Sequence, residues 1–104
     1  MSRKPQAGPA SDPELLILSS LASGPKHGYA ILLDIETFAD LTLGAGTLYT
    51  AITRLVEKRW IAPQTPEGRQ RPYRLTRAGR IVMREQLTQM ERLAKAGLRR
   101  LRTI

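Results

Sequence analysis

The sequence predicts a mainly α-helical protein with one small β-hairpin, an α+β fold in which a domain of three short helices and the hairpin precedes one long helix. Three observations predict it. Apolar residues recur at helical spacing in three segments before residue 60. Two extended runs flank a turn between residues 60 and 76. After residue 76 the chain has no proline and keeps helical spacing.

The composition excludes several classes of protein. The 104 residues include no cysteine and one histidine, so disulfides, thiolate metal sites and cysteine nucleophiles are excluded, and no catalytic constellation is recognisable. We therefore predict a protein that is not an enzyme and that has no cofactor or metal site. The sequence has no apolar run of about 18 residues and no signal peptide, so neither a membrane nor export is indicated, and a cytoplasmic location fits best.

Positive charge is concentrated in the last third of the sequence. Residues 1–68 hold six Lys and Arg against seven Asp and Glu, a net −1, whereas residues 69–104 hold eleven against two, a net +9; the two values sum to the overall +8. A polarised positive field attracts polyanions, of which nucleic acid is the commonest for such a protein. A solubilising surface on an ordinary helix is the alternative that the charge alone leaves open.

The first predicted elements are a flexible arm and a buried helix. The arm, residues 1–11, is rich in Pro, Gly, Ala and Ser. Asp12 supplies an N-cap and is followed by a proline and an acid, which favour the start of a helix. This helix runs to about Ser23, before the Gly-Pro pair at 24–25, and it is apolar almost all round. We therefore expect it to be covered on more than one side.

The third predicted helix has two different faces. A second helix, from about His27 to Ala39, precedes it. Within residues 44–59, Leu48, Ile52 and Leu55 lie together and are predicted to pack inward. The opposite face consists of small residues, threonines and one arginine, with no acid until the last turn. Such a face can approach phosphates and base edges closely, although an ordinary polar solvent face is the alternative.

A basic β-hairpin follows the third helix. Residues 60–64 and 72–76 are extended runs around a turn that contains proline and glycine, with Arg69 and Arg71 near its tip. Because Pro72 cannot donate a ladder hydrogen bond, we expect it on an edge strand or at a bulge. Trp60 is expected in the core or at its edge. Residues 12–76 therefore have the layout of a winged helix-turn-helix domain.

Three stretches of the sequence resemble the PadR-like family of winged-helix transcriptional regulators. They are "GPKHGYAIL" at 24–32, "GTLYTAITRL" at 46–55 and "YRLTRAGR" at 73–80. The resemblance implies that Gly-Thr-Leu-Tyr leads the recognition helix, that the hairpin is a basic wing, and that Leu-Thr-x-x-Gly enters the last helix. The sequence departs from the family pattern at Thr50, where proline is usual, at Arg59, where a glycine commonly closes the helix, and at Pro72.

The last segment, residues 77–104, is predicted to be a dimerisation helix. From Met83 to Leu101, apolar or small residues recur at spacings of 4, 3, 4, 3 and 4, which is typical of a coiled-coil seam. So much apolar surface is not expected to remain in water, although the helix could instead fold back on its own domain. The resemblance, to members with a single C-terminal helix, also implies a homodimer. The residues assigned to dimerisation are Leu15, Leu18, Met83, Leu87, Met90, Leu93, Ala94, Leu98 and Leu101.

The predicted function is sequence-specific binding of double-stranded DNA by a homodimeric regulator, with repression as the expected mode. Two recognition helices related by a two-fold axis would read a pseudo-palindromic operator, with half-sites about 34 to 36 Å apart. Arg54 is the best candidate for bidentate guanine readout, and hydroxyl groups are expected on phosphates. The residues assigned to DNA are Thr47, Tyr49, Thr50, Thr53, Arg54, Lys58, Arg69, Arg71, Arg74, Lys26, His27 and Tyr29.

Two further possibilities concern partners other than DNA. The resemblance implies release by a small aromatic or drug-like effector, and Met83 and Met90 could line an adaptable cavity. The alternative function is a winged-helix protein-protein interaction module without specific DNA binding. That alternative predicts a more apolar outer face on the third helix.

Overall fold

Four helices and three short strands make up the described part of the computed structural model, residues 11–66 and 68–102. In chain order they are α1 (Pro13–Leu21), β1 (Lys26–His27), α2 (Gly28–Ala39), α3 (Ala45–Glu57), β2 (Ile61–Pro63), β3 (Pro72–Leu75) and α4 (Arg77–Arg102). The predicted mainly α-helical α+β fold is confirmed. The arm predicted for residues 1–11 lies, except for Ser11, outside the described residues.

Helix α1 forms the centre of the core. The Asp12 carboxylate accepts the Glu14 N–H at 3.2 Å, as expected of an N-cap. The helix packs against α2, α3, α4 and β3 of the same chain, which explains why it is apolar all round. Leu18 is only 1% exposed and leaves no surface for a partner, so its assignment to dimerisation is corrected here. Leu15 also belongs to the core of its own chain but borders a surface groove.

The sheet has three antiparallel strands in the order β1-β3-β2, one more than predicted. β1 pairs His27 with Pro72, so His27 belongs to a strand and not to the second helix. Pro72 consequently lies in the central strand, and the predicted edge position is wrong. It is tolerated because it is the first residue of β3, where its carbonyl still accepts the Gln64 N–H at 2.8 Å.

A hydrogen-bonded junction joins the end of α3 to the start of α4. The Thr76 hydroxyl donates to the Arg59 carbonyl at 2.8 Å and accepts the Gly79 N–H at 3.0 Å. The Thr76 N–H donates to the Trp60 carbonyl at 3.0 Å. A Cβ atom at Gly79 would overlap that carbonyl, so a side chain has no room there. Trp60 is half-buried against the core, as predicted.

Helix α4 extends beyond the rest of the domain. The helix contacts α1, and Met83 packs against the core. Farther along, Leu93, Leu98 and Leu101 are 71%, 59% and 69% exposed. The described part of the chain contains no helix that is long and apolar enough to cross a membrane.

Candidate nucleic-acid interface

The outer face of α3 has the composition that the sequence predicts. Leu48, Ala51, Ile52 and Leu55 are buried, which confirms the inward face. Glu57, in the last turn, is the only acid of the helix. The exposed residues before it are Ala45, Gly46, Thr47, Tyr49, Thr50, Thr53 and Arg54. The first turns of α3 thus present backbone, hydroxyl groups and one guanidinium, with no carboxylate of their own.

Tyr49 forms one flank of this face. Its ring lies against the amino end of α2, since a Cβ atom at Gly28 would come within 2.5 Å of the Tyr49 hydroxyl oxygen and 2.9 Å of two ring carbons. Glycine at position 28 therefore permits the close approach. The ring remains 49% exposed, so Tyr49 both joins α3 to α2 and offers a surface to a ligand.

A cleft between α1 and α3 forms the other flank. Its volume is about 510 Å³, and it is lined by Asp12, Pro13, Glu14, Gly46, Thr47, Thr50, Ala51 and Arg54. The first turns of α3 have no carboxylate, but Asp12 and Glu14, at the start of α1, place two carboxylates on this side. The sequence did not reveal this, because 40 positions separate Glu14 from Arg54.

Lys58 and Arg54 differ in whether a carboxylate of the described residues pairs with their charge. The Lys58 ammonium donates to Glu14 Oε1 at 2.7 Å and lies 4.6 Å from the centre of the Trp60 ring. Arg54 makes no ion pair with any carboxylate in residues 11–66 and 68–102. Arg54 is therefore the more available cation of the two for an outside anion.

The Thr53 hydroxyl is oriented toward its own helix. It donates to the Tyr49 carbonyl at 2.9 Å, and a threonine has only one hydroxyl proton. Phosphate oxygens need donors, so in this rotamer Thr53 offers a duplex only its methyl group and a hydroxyl acceptor. The expectation of a hydroxyl-phosphate contact therefore passes to Thr47 and Thr50.

Lys26 belongs to a polar cluster between α1 and α2. Its ammonium donates to the Ser20 carbonyl and, at 2.7 Å, to the Ser23 hydroxyl, and it lies 3.8 Å from the Asp34 carboxylate. The buried Ser20 hydroxyl also donates to Asp34 at 2.7 Å. These contacts hold the α1–α2 connection in place and leave Lys26 less free than its sequence position indicates.

The amino end of α2 also carries His27 and Tyr29. His27 caps the helix, because its Nδ1 accepts the Ala30 N–H at 3.4 Å. A histidine that accepts at Nδ1 has its proton at Nε2 when it is neutral, so Nε2 can donate to an anion. Tyr29 is 62% exposed.

The arginines of the hairpin are all exposed. Arg69 and Arg71 lie in the connection between β2 and β3, where Gly68 has a positive φ of 64°, and Arg74 lies on β3 opposite Ala62. No carboxylate of the described residues forms an ion pair with these three side chains. Because α3 packs against β2, the helix and the hairpin are in direct contact.

Comparisons with known proteins agree with this architecture. A model of a family described as "Transcriptional regulator PadR-like family" matches residues 17–85. A PadR family transcriptional regulator from Eggerthella lenta is 29% identical, with a TM-score of 0.75 over 88% of this chain and 82% of that one. A transcriptional regulator from Clostridium thermocellum is also 29% identical, with a TM-score of 0.73 over 81% of this chain and 84% of that one.

One similar protein is much longer than this chain. An uncharacterized 37.1 kDa protein in transposon TN4556 of Streptomyces fradiae is 44% identical over 84 residues, which are 81% of this chain and 24% of that protein. The chain therefore spans about a quarter of the length of that relative.

Proposed function

The chain belongs to the PadR-like family of transcriptional regulators, and from this we propose that it binds double-stranded DNA as a homodimer and represses transcription from a pseudo-palindromic operator. Members of the family are transcriptional regulators and not enzymes, in agreement with the sequence prediction. One observation carries the proposal: α3, whose first turns are exposed and acid-free, packs directly against a hairpin whose arginines have no ion-pair partner among the described residues.

The α3 face would enter the major groove. Thr47 and Thr50 are small enough for the backbone of α3 to come close to the duplex, and Arg54 can reach the two acceptors of guanine with its planar guanidinium. Tyr49, at the other flank, would contact the backbone or a thymine methyl. Thr53 contributes contact area more than hydrogen bonds, because its proton is used within the helix.

Contacts to phosphates would hold α3 in register. Arg69 and Arg71 on the hairpin, together with Arg74, have exposed guanidinium groups suited to this role. At the amino end of α2, His27 Nε2 and Tyr29 can donate to a phosphate beside the groove. Lys26 and Lys58 would add less, because each is already bonded within the chain.

The exposed leucines of α4 support the homodimer. Leu93, Leu98 and Leu101 are each more than half exposed, and together with Leu87, Met90 and Ala94 they continue the seam that α1 covers only in part. Isolated domains rarely leave such a continuous apolar strip in water. A second copy of the same helix is the simplest cover, and it would place two α3 faces about a two-fold axis.

An apolar groove beside this helix supports an effector site. It has a volume of about 280 Å³ and is lined by Leu15, Leu16, Ser19, Phe38, Ala39, Leu87 and Met90. A small aromatic or drug-like molecule bound there would touch α1 and α4 together, so it could change the angle between the two reading heads. Met90 lines this groove, whereas Met83 does not.

The protein-protein interaction module is less well supported. It requires an apolar patch on α3, whereas Tyr49 is the one large apolar side chain exposed on that helix. Hydroxyl groups and Arg54 occupy the remainder of the face.

Titration of labelled duplexes at several salt concentrations tests the proposal. Log K should fall with log salt with a slope of about −0.9 per phosphate contact, and a duplex selected from a random pool should bind more tightly than unselected duplex at every salt concentration. Equal affinity for selected and unselected duplexes would contradict sequence-specific binding.

A further inference from the structure

Helix α4 carries more positive charge than the DNA-binding domain accounts for. Of the eleven basic residues after position 68, only Arg69, Arg71 and Arg74 belong to the hairpin. The other eight lie on α4 against two acids, Glu85 and Glu91, so this helix alone has a net charge of 8 − 2 = +6. This charge does not favour coiled-coil pairing, because two helices of the same net charge repel each other.

Six of these residues form a single stripe on α4, called here the basic stripe. With 3.6 residues per turn, they fall within roughly 80° of the helix circumference and extend for about 38 Å along the axis. The members of the basic stripe are Arg77, Arg84, Arg92, Lys95, Arg99 and Arg102. The basic stripe is nearly opposite the apolar seam through Met83, Met90 and Leu101, so a dimer formed through the seam leaves it facing solvent.

Within the described residues the basic stripe has little counter-charge. All six side chains are exposed, and the one ion pair that involves any of them joins Lys95 to Glu91 at 3.4 Å, with both side chains about two-thirds exposed. Such surface pairs contribute little. Neighbouring stripe residues three or four positions apart, such as Lys95 and Arg99, repel each other.

Helix stability explains only part of the stripe. Basic residues in the last turn complement the negative end of the helix dipole, which accounts for Arg99 and Arg102. Arg77, however, is the first residue of α4, and the first turn has no acid. A cation at that position opposes the dipole, so its presence indicates a different role.

We propose that the basic stripe is a second DNA-contacting surface, which binds the phosphate backbone of a duplex without reading its sequence. The proposal rests on the proposed function, because the proposed homodimer would cover the opposite face of α4 and leave the stripe facing solvent. A straight row of guanidinium and ammonium groups matches the uniform charge of a duplex, and release of counterions favours binding.

A duplex fits the stripe better than an anionic bilayer. An amphipathic helix on a membrane inserts its apolar face, but Leu87 and Met90 on that face line the groove against α1, and the rest of the face is used by the second copy. A bilayer would therefore have to displace α1 from one part of this face and the second copy from the rest.

The test compares the full-length protein with a triple variant, Arg92→Gln, Lys95→Gln and Arg99→Gln, on unselected duplex. Each lost phosphate contact should make the negative slope of log K against log salt shallower by about 0.9, so the variant should show a clearly shallower slope and the largest loss of affinity at low salt. Sedimentation and thermal melting establish that the variant remains folded and dimeric. A slope equal to that of the unmodified protein overturns the proposal.

A matched pair of single substitutions separates position from net charge. Arg99→Gln removes a charge from the basic stripe, whereas Arg100→Gln removes the same charge from the neighbouring residue, on a different side of the helix. Arg99→Gln should make the salt slope on unselected duplex shallower, and Arg100→Gln should leave it unchanged. Equal losses would show a general effect of charge and overturn the assignment.

Two further measurements distinguish a surface that binds the DNA backbone from one that reads bases and from one that binds a membrane. Preference for the selected duplex over unselected duplex reports on α3, so the triple variant should keep this preference; its loss would place the stripe residues in sequence reading and overturn the proposal. Vesicles containing phosphatidylserine should not compete with duplex for the protein. If they do compete, and the triple variant abolishes the competition, the stripe is a membrane surface.

Discussion

At the scale of single residues, Arg54 is the side chain on which sequence reading most depends. Replacement by Ala should cost roughly 1 to 3 kcal/mol on the selected duplex and little on unselected duplex. Arg54→Lys keeps the charge but loses the planar guanidinium. The variant should therefore keep nearly all binding to unselected duplex and lose the preference for the selected duplex. Fluorescence anisotropy with both duplexes measures the difference. Equal losses on the two duplexes would remove base reading from Arg54.

Gly79 should be intolerant of even a methyl group. A Cβ atom there would overlap the Trp60 carbonyl, and forcing the backbone apart typically costs about 1 to 3 kcal/mol. We expect Gly79→Ala to lower the free energy of unfolding by that amount in chemical denaturation at a fixed protein concentration. Gly46→Ala is the control, because a Cβ atom at position 46 would have open space. This variant should raise the free energy of unfolding by a few tenths to about 1 kcal/mol. A rise in the free energy of unfolding for Gly79→Ala as well would contradict the observed packing.

Arg59 has left-handed backbone geometry, with a φ of 64°, at the position where the resemblance implies a glycine. Because a side chain in this region costs about 1 kcal/mol or more, Arg59→Gly should raise the free energy of unfolding by about 1 kcal/mol. Thermal and chemical denaturation measure it. A loss of stability would mean that contacts of the arginine outweigh the backbone strain.

The partners of several site residues were beyond sequence reasoning. The period of α3 predicted which residues face outward, since this depends only on helix geometry. The engagement of Lys58 by Glu14 depends on residues 44 positions apart, and the Thr53 bond depends on a rotamer. Neither produces a local pattern. Charge and exposure alone therefore overestimate how many cations are available to DNA.

At the scale of elements, Thr76 connects two parts of the fold, the end of α3 and the start of α4. Its hydroxyl bonds both the Arg59 carbonyl and the Gly79 N–H, so it caps α4 and attaches it to the end of α3. Thr76→Val removes both bonds at nearly constant volume and should cost about 1 to 2 kcal/mol of stability. Thr76→Ser retains the hydroxyl and should cost less. If the two variants were equally stable, the cap would have no energetic role.

The helices were predictable from local pattern, whereas β1 was not. Helices α1, α3 and α4 each have an apolar pattern contained within about 25 residues of sequence, and α1 also has a recognisable N-cap in Asp12. β1 consists of two residues and exists only because Tyr73 and Pro72 lie beside it in β3. Since that partner is distant in the sequence, the central position of β3 and of Pro72 could not be predicted.

At the scale of the whole molecule, the exposed seam of α4 should determine the assembly state. Leu98→Glu places a carboxylate on the apolar strip, where pairing would bury it, so we expect a monomer at micromolar concentration and weaker binding to the selected duplex. Sedimentation velocity measures the assembly state. Thr88→Glu is the control for the assembly state alone, because Thr88 is exposed on the face of α4 opposite the seam through Met90 and Leu101. A dimer that survives Leu98→Glu would place the interface elsewhere.

Selection of bound sequences from a random duplex pool tests the central claim most directly. Two α3 faces related by a two-fold axis should enrich a palindrome whose half-site centres lie about 10 to 10.5 base pairs apart, or a multiple of that spacing. Arg54→Lys should weaken the preference in both half-sites equally. A single-armed sequence, or no enriched sequence, would contradict the account of a dimer that reads DNA through α3.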